Sequence, residues 1–353
     1  MSYYQTITPL QLRFIDQQIH SVAWNQAKFL NFFQKSPGAR VTKNAVTGAL
    51  NVDGGLIRNV EEGLEQITLT NWEKMKPGQI SGGLQDIPTQ YVKLYQETQP
   101  LMYLATKISI PVNFTHAWEN NNLIEAKDIL NSALEQTMKP LINQVDQFIC
   151  YGDDMLTPIS HDPMKSAGKF TGLFNGFQSF SGGDTGDDNV AAAGDYIATY
   201  INGRKNLHAQ GFDTGPYFIL SDYVTAAAAE QGNNLYKTYA PVTEKRHMLN
   251  EYKDELMGWV DSINAFPASS TSQYRMCVTQ PFISQQGNKI EPAYALYVGY
   301  NFRVFNLWAG GLNGSNMSYE FVIAWSGRIQ PIGSSGAYSL YHTGATADAL
   351  TIS

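Results

Sequence analysis

The chain has 353 residues and a formal net charge of −7, and 16% of its residues are charged, against roughly 25% in typical globular domains. No run of lysine or arginine occurs, which excludes a chain whose own surface binds nucleic acid tightly. The low charge and the 20 tyrosines favour a protein that buries wide, polar surfaces against other proteins.

Targeting signals and membrane spans are not recognisable in the sequence. The N-terminus, MSYYQTITPLQ, lacks a basic stretch followed by an apolar core, and no run of 18 apolar residues occurs. We therefore expect no secretory signal, no membrane partner and a cytoplasmic origin. The two cysteines are too few for a disulfide framework, and Cys150 is expected to be a buried thiol.

The first predicted element is an N-terminal helix. A capping box at Thr8 begins it, and it runs to about Phe33 before Pro37 ends it. Residues 38–90 are polar and punctuated by glycine, with one strand-like piece at Glu65–Thr70. This region predicts an extended excursion from the body of the protein, and an ordinary surface loop is the alternative.

A helical repeat covers residues 122–151. Its apolar face carries side chains spaced by three or four residues: Leu130, Leu134, Met138, Leu141, Val145 and Ile149. A helix of this length spans on the order of 40 Å, which suits the backbone of a flat or elongated domain. Gly152 follows directly and is expected to end the helix.

Strands are predicted on both sides of the long helix. Tyr91–Phe114 alternates like a strand, and Pro111 restricts that strand to a sheet edge or to its own end. From Asp195 onward helices alternate with a short buried strand, Tyr217–Leu220. Later strands are predicted at Met257–Ile263, Tyr274–Val278, Ala293–Tyr300, Phe302–Ala309 and Tyr319–Ile329. This mixture predicts an α+β fold.

The end of the long helix carries a resemblance to a known family. The helix ends in Tyr151-Gly152-Asp153, and Gly172-Leu173-Phe174-Asn175 follows. With its order of elements, the chain resembles the major capsid proteins of tailed viruses (bacteriophages and archaeal viruses), whose Hong Kong 97-type fold is shared with encapsulins. In that family a long "spine" helix ends near a Tyr-Gly-Asp or Asn-Gly turn, and a Gly-Leu-x-Asn-type segment follows.

The resemblance implies an α+β Hong Kong 97-like capsid fold with distinct regions. Residues 1–37 would form an N-terminal arm, and residues 38–90 an extension loop that lies over an adjacent subunit. Residues 91–194 and 291–353 would form the peripheral domain with the spine helix, and residues 195–290 the axial domain.

The resemblance also implies a function. The chain would be a structural major capsid protein that self-assembles, through pentamers and hexamers, into an icosahedral shell enclosing double-stranded DNA. It would be found in the virion capsid, assembled in the host cytoplasm, with the packaged DNA contacted weakly and without sequence specificity. Portal and decoration proteins are further expected partners, and because the sequence begins at Met1 we expect any scaffold to be a separate protein. An encapsulin-type nanocompartment around cargo protein is the alternative within the same fold.

An enzyme is the alternative from another class. Asp153 and Asp154 stand in FICYGDDML, which resembles the Gly-Asp-Asp hairpin where RNA-dependent polymerases hold Mg²⁺. The preceding residues follow a helical repeat rather than a strand, so helix termination at Gly152 is favoured. The six histidines are scattered, and no nucleophile elbow or phosphate loop occurs. We therefore predict no catalytic residue, no metal ligand and no cofactor.

Overall fold

The structure is a computed structural model, and it describes residues 28–43, 50–60, 66–72, 94–111, 123–152, 170, 172–173, 185–186, 203–205, 207–208, 217–223, 226, 256–262, 276–286, 289–306, 318–332 and 340–343. The predicted start of the first helix at Thr8 lies outside these residues, as do Asp153 and Asp154.

Within the described residues, the bounds of two helices and sixteen strands are defined. The helices are α1 (Lys28–Gln34) and α2 (Leu123–Tyr151). The strands are β1 (Arg40–Lys43), β2 (Leu50–Asp53), β3 (Ile57–Asn59), β4 (Gln66–Trp72), β5 (Leu94–Pro100), β6 (Met102–Pro111), β7 (Thr185–Gly186), β8 (Tyr217–Asp222), β9 (Leu256–Ser262), β10 (Met276–Thr279), β11 (Phe282–Gln286), β12 (Lys289–Pro292), β13 (Tyr294–Val298), β14 (Arg303–Asn306), β15 (Ser318–Pro331) and β16 (Leu340–Thr343). The predicted α+β class is confirmed.

The predicted long helix is present as α2, with Pro140 inside it. It packs on a central sheet in which β14, β15, β13 and β3 are neighbours in that order and β6 also pairs with β15. Strand β6 ends at Pro111, opposite Ser318, so the predicted limit at this proline is confirmed. The helix therefore covers one face of a sheet whose strands come from segments before and after the helix in the sequence.

Strand β3 joins the central sheet, which the sequence did not predict. It lies parallel to β13, with Ile57 opposite Leu296. Val52, Leu56 and Ile57 are buried in the main core, although the surrounding region is polar and rich in glycine. A few well-placed apolar side chains thus hold the start of the 38–90 region on the body of the protein.

A second sheet has the strand order β7, β16, β10, β8, β9. Strands β8, β9 and β10 come from the region predicted as the axial domain, whereas β7 and β16 come from the two segments predicted as the peripheral domain. Such long-range pairing leaves no local signal in a sequence. The division into domains stays a prediction. The chain passes from the central sheet to the second sheet between β6 and β7, and again between β15 and β16.

Strands β4 and β5 form an antiparallel ribbon outside both sheets. Its register runs from Gln66 opposite Pro100 to Trp72 opposite Leu94. Ile67 and Leu69 are buried with Leu101 in a small cluster against which Val60 and Tyr297 pack. The strand predicted at Glu65–Thr70 is confirmed as β4, and its partner β5 lies beyond the predicted end of the extension loop at residue 90.

The main core lies between α2 and the central sheet. The ring of Phe148 on α2 contacts Phe170 at 5.9 Å and Trp325 at 5.7 Å between centroids, both edge to face. Such edge-to-face pairs contribute about 0.5–1.5 kcal/mol beyond area burial. Among the described residues, no helix combines the length and the apolar character needed to cross a membrane.

Candidate functional site

The residues singled out on the long helix form a packing face. Met138, Leu141, Val145 and Ile149 are all buried in the main core, while Ser132 and Gln136 on the same helix are exposed. Leu130 and Leu134 belong to α2, but their side chains lie outside the described set. The face therefore holds the helix on the sheet and presents no chemistry to a ligand.

The end of this helix is closed by two glycines. Gly152 has a φ of 65°, and its N–H donates to the carbonyl oxygen of Phe148 at 2.8 Å. The N–H of Leu173 donates to the carbonyl oxygen of Ile149 at 2.9 Å, so it satisfies one of the last helix carbonyls. A Cβ on Gly172 would lie 2.3 Å from the carbonyl oxygen of Cys150, and only glycine fits there.

This contact gives a physical reason for the glycine in each of the two motifs. The Gly172-Leu173 segment folds back onto the final turn of α2 and replaces the partners that the helix end lacks. In the sequence, only the family resemblance associates these two segments. The geometry shows that the second glycine is needed for close backbone approach.

Asp146 is a buried residue that sequence reasoning missed. Its Oδ2 accepts the N–H of Lys28 at 3.1 Å, and its Oδ1 accepts the N–H of Leu30 at 3.2 Å. Both donors lie in the first turn of α1, so Asp146 caps this helix from a distant part of the chain. The available signal was a carboxylate in the buried stripe, four residues after Ile142 and four before Cys150.

Helix α1 links α2 to both sheets. The ring of Phe32 contacts Phe218 of the second sheet at 5.1 Å, and Phe33 contacts Tyr294 of the central sheet at 6.0 Å. Its N-terminus is held by Asp146 on α2. The short helix thus connects the three main parts of the described fold.

The buried titratable groups are structural. Burial raises the pKa of the Cys150 thiol well above its usual range, and the charge of Asp146 raises it further. Burial likewise raises the pKa values of Cys277 and Tyr294. Burial also raises the pKa of Tyr297, although the nearby Arg58 guanidinium acts in the opposite direction. A protonated, inaccessible thiol is a poor nucleophile, so neither cysteine is suited to catalysis.

We expect both thiols to resist Ellman's reagent in the native chain at pH 8 and to react fully in denaturant, because both are buried and free. Rapid labelling of the native chain would contradict this expectation.

The raised pKa values of the two thiols in the folded chain also make the free energy of unfolding depend on pH. The stability linked to the protonated, buried thiols is fully present below the thiol pKa of the unfolded chain, about 8.5. It falls as the pH rises further, by about 1.4 kcal/mol per pH unit for each thiol. Urea denaturation at pH 7.5 and 10 tests this pH dependence, and equal stability at the two pH values would contradict it.

The described residues contain no group of three or more histidine, cysteine, aspartate or glutamate side chains placed to hold a metal ion. Asp153 and Asp154 lie beyond the described part of the helix end. The structure therefore leaves the metal-dependent alternative at these two residues untested. It does show that the turn before them is a helix end, because Gly152 closes α2.

Comparison with solved structures gives matches along most of the chain. A structure from Mycobacterium phage Adephagia is 13% identical, covers 83% of this chain and 89% of that chain, and has a TM-score of 0.50. The capsid of Myoviridae phage XM1 is 12% identical, with coverages of 82% and 89% and a TM-score of 0.47. A virus-like particle from Pyrococcus furiosus is 9% identical, with coverages of 94% and 99% and a TM-score of 0.47.

Sequence comparison adds no relative, because no protein-family model and no curated protein matches the chain. At 13% identity, the match with a TM-score of 0.50 is a likeness of fold. The chain has an α+β Hong Kong 97-like fold.

Proposed function

We propose that the chain is the major capsid protein of a tailed virus, whose copies assemble through pentamers and hexamers into an icosahedral shell around double-stranded DNA. The observation that carries the proposal is the Hong Kong 97-like fold. Because a fold alone does not determine a function, the surfaces of this chain must also suit assembly.

The β4–β5 ribbon is the first such surface. Its base packs on the body through Ile67 and Leu69, whereas its other face exposes uncharged side chains such as Thr68 and Thr98. No third strand pairs with it among the described residues. An isolated two-stranded ribbon is marginally stable in water. We infer that its outer end, at Trp72 and Leu94, packs on an adjacent subunit as an extension loop.

We infer that the two helices and the sheets they contact support such contacts from within the subunit. Helix α2 braces the central sheet, and α1 ties this layer to the second sheet. We assign residues 195–290, which supply strands β8, β9 and β10 of the second sheet, to the axial domain, which would meet its copies around the five- and six-fold axes. Such contacts are individually modest, and repetition by symmetry makes the shell stable.

The charge of the chain suits a container. A net charge of −7 disfavours tight adhesion to packaged DNA. We infer that DNA is contacted weakly and without sequence specificity, that the shell assembles in the host cytoplasm, and that separate scaffold, portal or decoration proteins act as partners. No catalytic role, metal or cofactor is proposed.

Sedimentation velocity of the purified chain tests the proposal. We expect a discrete species in the megadalton range, or rings of five or six copies that convert to it as concentration rises. A chain that stays monomeric or dimeric at every concentration would contradict the proposal. Nuclease treatment of particles from the source cells then distinguishes contents: protected DNA supports a virus, whereas enclosed protein without DNA supports an encapsulin.

A further inference from the structure

The face of the central sheet that points away from α2 carries an exposed aromatic group. Leu104 and Trp325 are opposite each other and lie in the main core, so they mark the helix side of the sheet. Side chains alternate along a strand, which places Tyr103 and Lys107 on the other side. The register with β15 puts Arg303 and Phe305 of β14 on that side too. We call Tyr103, Lys107, Tyr300, Arg303 and Phe305 the tyrosine face.

The aromatic members of the tyrosine face contact one another. The ring centroid of Tyr300 lies 6.0 Å from that of Tyr103 and 5.1 Å from that of Phe305. The guanidinium of Arg303 lies 5.7 Å from the centre of the Phe305 ring. Tyr103 is nevertheless 39% exposed. The rings are therefore pre-arranged, with Tyr103 accessible on the single chain and with Tyr300 and Phe305 half-buried.

A strained turn holds Tyr300 in this position. Phe302 has a φ of 53°, a conformation rare for a bulky side chain, and it is buried in the main core. The N–H of Tyr300 donates to the Ser326 hydroxyl, and the N–H of Ser326 donates to the Tyr300 carbonyl oxygen, both at 2.8 Å. Backbone strain of this kind persists where the surroundings fix it, often at functional positions.

Part of the same sheet face is already covered within the chain. Tyr297 is opposite Arg328, two residues along β15 from Ser326, and therefore lies on the same side as Tyr103. The base of the β4–β5 ribbon packs there, with Ile67 and Leu69 buried in one cluster beside Tyr297. The tyrosine face continues this covered area towards β14 and β6.

We propose that the tyrosine face is a contact surface for a second copy of this chain, an inference that rests on the proposed self-assembly. Tyrosine, phenylalanine and arginine are enriched in the energetically important centres of protein interfaces. The cations Lys107 and Arg303 complement a partner that carries an excess of acidic residues, as a second copy does with its net charge of −7. The contact extends the area that the ribbon base already covers.

Two variants and a matched control test the proposal in the full chain. Tyr103→Ser removes an exposed ring, and Arg303→Glu reverses a charge on the same face. Gln136 is exposed on α2, so Gln136→Ala changes an exposed side chain outside both the tyrosine face and the second sheet. We expect the two face variants to need about tenfold more protein to assemble, and the control to behave as wild type. Wild-type assembly by both face variants would overturn the proposal.

Tyrosine nitration of the wild-type protein provides a second readout that needs no folded variant. Tyr103 should be protected in particles and modified in dissociated chains. For the assembly experiment, circular dichroism verifies that the variants fold. Equal modification in both states would overturn the proposal, as would protection that nuclease abolishes, because nucleic acid would then cover the face. A wild-type chain that never assembles would instead refute the proposed function itself.

Discussion

Replacing Gly172 with alanine is expected to destabilise the chain by about 3–5 kcal/mol or to prevent soluble expression. The added Cβ would lie 2.3 Å from the backbone carbonyl carbon and oxygen of Cys150 and from the nitrogen of Tyr151. Backbone atoms of a buried helix end cannot move aside as a flexible side chain can. The N–H of Leu173 would also lose its bond to Ile149 if the segment were displaced.

The measurement is the urea midpoint of the soluble variant, followed by circular dichroism, with soluble yield as the readout where none is recovered. Gln136→Ala on the exposed side of α2 is the matched control and should change stability by less than about 0.5 kcal/mol. A Gly172→Ala chain as stable as wild type would show that this segment does not pack on the helix end.

Replacing Asp146 with alanine is expected to lower stability by about 2–4 kcal/mol. The carboxylate is fully buried and accepts the N–H groups of Lys28 and Leu30, which would lose these bonds. Removing a buried charge recovers part of its desolvation cost, so the loss is smaller than the two bonds alone would give. Hydrogen exchange should rise across α1, since its cap is gone.

Two comparisons make the Asp146 experiment specific. Asp146→Asn keeps only one acceptor oxygen and places an NH₂ group against a donor, so it should also destabilise. Gln144→Ala, an exposed position on the same helix, should change little. Exchange in α1 that is unaffected by Asp146→Ala would contradict the assigned role of this carboxylate.

The helices and strands with strong local patterns could be predicted from the sequence. The apolar repeat from Leu130 to Ile149 predicts α2 because packing on one face requires that spacing. Pro111 predicts the end of β6 because proline cannot donate to a neighbouring strand. The fold family followed from the resemblance, which depends on the motifs around Gly152 and Gly172.

Long-range pairing could not be predicted in the same way. Strand β3 has three residues and joins the sheet beside β13, and β16 joins the second sheet from near the end of the chain. Short strands carry little periodicity, and their partners are distant in sequence. For the same reason the cap formed by Asp146 is invisible without the fold, because its donors lie 116 and 118 residues away.

Only the supporting helix of the candidate site could be predicted from the sequence. The packing face of α2 and the glycine that ends it can be recognised from residue spacing, whereas the tyrosine face cannot. Its members come from two separate segments, Tyr103–Lys107 and Tyr300–Phe305, and only the register of β6, β14 and β15 brings them to one side. Interface and core aromatics share the same residue types, so composition alone does not separate them.

Negative-stain electron microscopy of the purified full chain tests the central claim most directly. We expect closed particles of uniform diameter with five- and six-fold arrangements of subunits. Discrete monomers or small compact oligomers under all conditions, with a divalent-ion requirement for an activity that Asp153→Ala abolishes, would contradict it and favour the enzyme.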